Sequence, residues 1–101
     1  ILLESNYDLE VLKHSPYPYN LKRRIAGPHG HLSNELAGKT ISHLLKSGLK
    51  NAMLGHLSKE SNFPELAYQT VVDELLANNC NTDSINLSVA SRELPGKLIK
   101  L

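Results

Sequence analysis

The chain has 101 residues, 41% of them hydrophobic and 21% charged, which suits one small globular domain with a modest core. A formal net charge of +1 provides no global field of the kind that marks a nucleic-acid- or membrane-binding protein, so any such surface must be a local patch. Cys80 is the one cysteine, which excludes an intramolecular disulfide and points to a reducing, cytoplasmic setting, and no apolar run approaches the ~20 residues that cross a bilayer.

Ile1 to Glu4 is a short apolar run suited to a buried strand. It has no basic flank and does not read as a signal peptide. It reads as the middle of a strand, so the chain is expected to come from something longer. Asn6-Tyr7-Asp8 is expected to open a short helix with Leu9, Val11 and Leu12 on its apolar side, stopping at His14-Ser15-Pro16. Pro16 and Pro18 disfavour α geometry in the residues before them and enforce extended backbone. Tyr19 to Ala26 is a second short helix carrying Lys22, Arg23 and Arg24, and Gly27-Pro28-His29-Gly30 breaks it.

Ser33 or Asn34 then caps a longer helix, because a short side-chain oxygen can accept from an orphan N–H. Ala37, Ile41, Leu44, Leu45 and Gly48 fall on one stripe of that helix, Ser47-Gly48 ends it, and Lys46 and Lys50 suit the negative end of its dipole. Asn51 to Leu57 reads as a buried strand ending in the polar loop Gly55-His56-Leu57-Ser58. Pro64 fits the first turn of the next helix, where its missing N–H costs nothing. Tyr68, Val71, Val72, Leu75 and Leu76 make this the clearest amphipathic pattern in the chain. Asn78 to Ser84 reads as a loop. Ile85, Leu87 and Val89 alternate with Asn86, Ser88 and Ala90, the mark of a half-buried strand. Pro95-Gly96 is a turn signal, and Leu98 to Leu101 a final strand. Helix-separated strands predict an α/β fold, with about four strands and helices on one face of the sheet.

Five histidines are a mild excess. His56 stands at the end of an apolar strand, where α/β proteins place site residues, and neutral imidazole is the commonest nitrogen ligand of zinc-like metals. His29-Gly30-His31 lies in a glycine-rich loop. His43 falls opposite the apolar stripe and reads as solvated; His14 reads as a helix C-terminal residue facing the dipole. Glu4, Asp8, Glu35, Glu60 and Asp73 are the carboxylates that could join a site, and Glu4 would approach His56 if their strands are neighbours. A histidine after a buried strand is more often a hydrogen-bonded half-core residue than a ligand, and the Lys22-Arg23-Arg24 run is more often a solvated face than a phosphate contact. No nucleophile elbow, phosphate loop, Rossmann fingerprint, paired C-x-x-C or H-E-x-x-H is present.

Whole segments carry more than these lone residues. Glu4-Ser5-Asn6-Tyr7-Asp8, Tyr17-Pro18 with Leu21-Lys22-Arg23-Arg24-Ile25, Gly30-His31-Leu32-Ser33-Asn34, and His56-Leu57-Ser58-Lys59-Glu60-Ser61-Asn62 occur in that order. Over residues 1 to 75 the chain resembles the C-terminal third of the YycJ/WalJ-like metallo-β-lactamase-fold hydrolases, a group related to tRNase Z. The resemblance implies that residues 1–101 form the C-terminal half of an αββα sandwich, an incomplete sheet with helices on one face. It implies that His56 is the last ligand of a dinuclear metal site and that His31 is a phosphate contact or proton donor. Glu4 and Asp8 take supporting roles. Tyr7 stands where the family has His, and Asn62-Phe63 where it tends to have Asn-Asn.

The family's H-x-H-x-D-H cluster, isolated histidine and bridging aspartate have no counterpart here. The resemblance implies a parent that is a phosphodiesterase or nuclease acting on nucleic acid with two divalent ions, zinc or manganese. The isolated chain is expected to be inactive, to bind no metal tightly by itself and to self-associate through surfaces that the missing N-terminal half would cover. The rival readings are a small-molecule hydrolase of the same fold and a non-enzymatic α/β interaction module in which His31 and His56 are structural.

Overall fold

The computed structural model describes residues 1–27, 30–59 and 61–90, and the backbone of a short strand at Leu98–Ile99. His29, Glu60 and the Pro95-Gly96 turn signal lie outside the described residues.

The element order is β1 (Leu2–Glu4), α1 (Leu9–Lys13), α2 (Tyr19–Ala26), α3 (Asn34–Lys46), β2 (Asn51–Gly55), α4 (Pro64–Ala77), a 3₁₀ turn (Thr82–Ser84), β3 (Asn86–Ala90) and β4 (Leu98–Ile99). The strands form one sheet in the order β1-β2-β3-β4, with the first three parallel and β4 antiparallel to β3. This is an α/β domain, as the alternation of helical and strand patterns predicts.

Register explains which side chains meet the core. Leu3 pairs with Leu54 and Leu54 with Val89, while Ala52 pairs with Leu87, so these residues share one face. Against that face pack α3, through Ala37 and Ile41, and α4, through Ala67, Val71 and Leu75. Ile41, Leu54, Val71, Leu75 and Val89 are fully buried. Cys80 lies in the same core, its thiol near the Ser42 and Asn78 carbonyls. On the other face Leu2 is 69% exposed, and its side chain leans over Gly55.

The two long helices touch because of Gly38, which the spacing argument passes over. A Cβ there would stand 2.7 Å from the Glu74 Cβ and 3.2 Å from the Val71 Cα, so only glycine lets the axes approach this closely.

Capping chemistry sets the helix starts. Asp8 is an N-cap and not the first turn of α1: its carboxylate accepts from the Glu10 and Val11 N–H groups at 3.0 Å, while Asn6 and Tyr7 stay outside the helix. Of the Ser33/Asn34 pair, Ser33 is the cap and accepts from the Leu36 N–H. Asn34 is thereby freed for the interior. The second strand stops at Gly55, two residues short of the sequence expectation, because His56 has φ +55° and leaves the extended region. The loop expected over Asn78 to Ser84 contains the 3₁₀ turn, whose Asn81 cap accepts from the Asp83 N–H. Among the described residues, no helix is long and apolar enough to cross a membrane.

A carboxylate–imidazole cluster at the strand ends

β1 and β2 end side by side, with Glu4 opposite Gly55 in the register. Two parallel strands ending together expose a crevice at their carboxyl ends, the usual place for a site in an open α/β sheet. Three segments converge there: residues 4–8 at the end of β1, 30–34 before α3, and, at the end of β2, 55–59 with 61–62. Their backbones are laced together. Ser5 N–H donates to the Gly55 carbonyl, Asn6 N–H to Leu32, Asn34 N–H to Tyr7, Ser58 N–H to Asn6, and Asp8 N–H to Ser61, all between 2.7 and 2.9 Å.

Beneath the crevice, side chains repeat the same lacing. Ser5 Oγ donates to Asn34 Oδ1 at 2.6 Å, and Asn34 and Asn62 exchange amide hydrogen bonds at 2.9 and 2.8 Å. Asn62 Nδ2 also donates to the Ser5 carbonyl. Each of these residues is buried, and their polar groups satisfy one another, as a buried network must if it is to stabilise. The sequence reading missed Ser5, Asn34 and Asn62 as a set. The available signal was a repeated dipeptide: Ser5-Asn6, Ser33-Asn34 and Ser61-Asn62 fall one in each converging segment.

Above the network, one carboxylate meets two imidazoles. Glu4 Oε2 lies 2.9 Å from His31 Nδ1 and also makes a short contact with His56 Nδ1. Glu4 Oε1 accepts from the Leu32 N–H at 2.7 Å. The two rings sit edge to face with centroids 5.2 Å apart. Partial burial pushes the Glu4 carboxyl up, but the Leu32 N–H and the two imidazoles outweigh it and hold the group below its ordinary 4.5. An ionised carboxylate can only accept, so both Nδ1 atoms carry hydrogen. In the neutral rings this leaves the lone pair on each Nε2 available.

Backbone geometry aims these rings. His56 occupies the left-handed region, a conformation that costs a non-glycine residue on the order of 1 kcal/mol. It is held there by Asn6, whose amide donates to the His56 carbonyl at 2.6 Å. His31 is brought in by Gly30, where any Cβ would lie 2.2 Å from the Ile25 carbonyl oxygen. The His31 N–H donates to that same carbonyl.

Glu4, His31 and His56 form a group of potential metal-ligating atoms that lie within 4.8 Å of one another. Their imidazole Nε2 atoms are donors of the kind a zinc- or manganese-class ion takes, with the Glu4 carboxylate on Nδ1 as the outer partner. A cavity of about 280 Å³ opens beside the rings, lined in part by Tyr7, Tyr17, Ile25, Leu57, Lys59 and Ser61. Asp8 is close by in the chain, but its side chain turns away to cap α1. His43 and His14 are exposed and stand apart from the group; His14 pairs with Glu10 at 3.5 Å.

Tyr7 is buried, and burial together with the Glu35 and Glu4 carboxylates pushes its hydroxyl above the ordinary 10.0. Glu35 is itself pushed above 4.5, first by burial and then by Asp8 and Glu74, although its own N–H and that of Leu9 oppose the rise.

The chain is 45% identical over 74 residues to exodeoxyribonuclease WalJ of Streptococcus pneumoniae strains D39 and R6, a match covering 73% of this chain and 28% of that protein. It is 39% identical over 70 residues to exodeoxyribonuclease YycJ of Bacillus anthracis, covering 69% of this chain and 26% of that one. The chain therefore spans little more than a quarter of the length of the curated relatives it matches. No family model matches it, and no solved structure does.

Proposed function

From this homology to the WalJ and YycJ exodeoxyribonucleases, we propose that residues 1–101 are the C-terminal part of a metallo-β-lactamase-fold domain whose whole hydrolyses phosphodiester bonds in DNA. The observation that carries the reading is the shared carboxylate. Glu4 fixes two imidazoles through Nδ1 and leaves both Nε2 atoms free, the arrangement that orients metal-bound histidines in hydrolases.

In this reading His56 is the residue that would hold a divalent ion, zinc or manganese, with further ligands supplied by the rest of the polypeptide. Such ions lower the pKa of a bound water to ~7 and so supply hydroxide at neutral pH. His31 acts on the phosphate: its Nε2 contacts a phosphate oxygen or, once protonated, gives a proton to the departing oxygen. Glu4 holds both rings and balances positive charge that develops on them. The Leu32 N–H fixes Glu4 in turn. Asp8 supports the site at one remove, by anchoring α1 and by its backbone bond to Ser61 in the His56 loop. A cytoplasmic location suits both a DNA substrate and the free thiol of Cys80.

The test is mutagenesis in the full-length polypeptide. His31→Ala should slow DNA hydrolysis by about 10²- to 10⁴-fold, the usual worth of a positioned acid or base. His56→Ala should lose both activity and bound metal. Wild-type rates in both variants would leave an interaction module as the better reading. Turnover of a lactone or thioester faster than of a phosphodiester would favour a small-molecule hydrolase.

A further inference from the structure

Away from the imidazoles, α1 and α2 enclose a second groove of about 400 Å³. Its walls pair apolar and aromatic surface, from Leu9, Leu12 and Tyr19, with three cations, Lys13, Lys22 and Arg23. Tyr19 is 76% exposed, an unusual setting for so large a ring, and the Arg23 guanidinium stands 5.9 Å from its centroid. That contact steadies the ring while leaving most of it open to solvent. The Lys22 ammonium donates to the Lys13 main-chain carbonyl, which ties α2 to the end of α1. The single acidic residue in the wall, Glu10, pairs with His14.

We propose that this groove seats a single DNA strand, with Tyr19 as a stacking platform for one base and Lys13, Lys22 and Arg23 on the flanking phosphates. A cationic track interleaved with an exposed aromatic face is how proteins bind single strands without reading their sequence. An acidic peptide would satisfy the cations but leave the ring without a partner of matching shape, so a nucleic-acid strand suits the groove better. The position is also apt. The same helix α2 presents Ile25 to the cavity that holds His31 and His56, so a strand lying in the groove is one helix away from those rings. The inference deepens the nuclease reading and rests on it for the identity of the strand.

The experiment is fluorescence anisotropy of a labelled oligo(dT) of about 12 nucleotides, titrated with the full-length polypeptide and its variants at several salt concentrations. Tyr19→Ala should weaken binding about tenfold, and Tyr19→Phe, which keeps the ring, by less than about twofold. Arg23→Ala and Lys22→Ala should each weaken it and reduce the slope of log affinity against log salt by about 0.7, the value for one phosphate contact on a single strand. Tyr19 and Arg23 are exposed and Lys22 is partly so, and matching circular dichroism checks that folding is retained.

Unchanged affinity in Tyr19→Ala, or an equal loss of affinity for poly-glutamate, overturns the proposal. Hydrolysis of bis-p-nitrophenyl phosphate, which has no strand to seat, tests the imidazole site separately. Persistence of that activity in His31→Ala and His56→Ala would sink the nuclease site while leaving the groove to be judged on oligonucleotide affinity alone.

Discussion

Glu4 and His56 are 52 positions apart in the chain, yet the carboxylate of one closes on the Nδ1 of the other because parallel pairing sets Glu4 beside Gly55. If that contact orients the ring for metal, Glu4→Gln should reduce the metal affinity of the full-length polypeptide about 10- to 100-fold, the usual effect of losing a ligand's outer partner. Isothermal titration with zinc or manganese measures this. Unaltered affinity would mean that Glu4 merely packs against the rings.

The same carboxyl makes a prediction about acid stability. Its folded pKa lies below the ordinary 4.5, so the folded state favours the ionised form. The resulting stability is complete above that ordinary value and is lost as pH falls through the lowered one. Glu4→Gln cannot lose a proton, so its unfolding free energy should fall less steeply than wild type below about pH 4.5. Urea melts at pH 3, 4, 5 and 7 decide it, with parallel curves as the contrary result.

Glu35 carries the opposite sign. Burial and the Asp8 and Glu74 carboxylates raise its pKa, and one of its carboxylate oxygens is buried with no hydrogen-bond partner among the described residues. A raised carboxyl disfavours the folded state once pH climbs past the ordinary 4.5. Glu35→Gln keeps an oxygen for the Leu9 N–H and removes the charge. It should stabilise this chain at pH 7 by on the order of 1 kcal/mol, a rise of about 4–8 °C in Tm. The gain should vanish below pH 4. A gain that persists at pH 3 would assign the effect to packing instead of charge.

The contrast between Gly38 and Asn34 shows what sequence could and could not supply. Element order, the apolar stripes of α3 and α4 and the placing of Glu4 and His56 at strand ends follow from periodicity and breakers, which are local. The meeting of α3 with α4 through Gly38, the Ser5–Asn34–Asn62 network and the left-handed turn at His56 depend on residues far apart in the chain. Propensity rules carry no information about such partners. Asn34 was legible as a cap because caps are local, and its true position in the interior was not. The approach of His31 to Glu4 was accessible only through resemblance, since no spacing rule brings residue 31 to residue 4.

Gly38 also yields a prediction in which two known effects oppose each other. In an exposed helix interior, Gly→Ala stabilises by about 1 kcal/mol. Here the new Cβ would lie 2.7 Å from the Glu74 Cβ and 3.2 Å from the Val71 backbone, which cannot yield without parting the helices. Overpacking costs about 1–3 kcal/mol and should win, lowering Tm in Gly38→Ala. A higher Tm would show that α3 and α4 can slide apart without loss.

His56 sets backbone strain against proposed chemistry, and one substitution separates the two. Its φ of +55° is comfortable for glycine and costs other residues about 1–2 kcal/mol. The side chain is 69% exposed, so removing it opens no cavity in the core. His56→Gly should therefore melt at or above the wild-type temperature, whereas His56→Ala, which keeps the strain and loses the ring, should melt below His56→Gly. If the ring is a metal ligand, both variants should lose activity in the full-length polypeptide to a similar extent, by at least about 10²-fold. A glycine variant more stable than wild type and inactive would show strain retained for function. One that melts several degrees lower would show instead that the contact between His56 and Glu4 holds the strand ends together and by itself offsets the strain, which then needs no function to retain it.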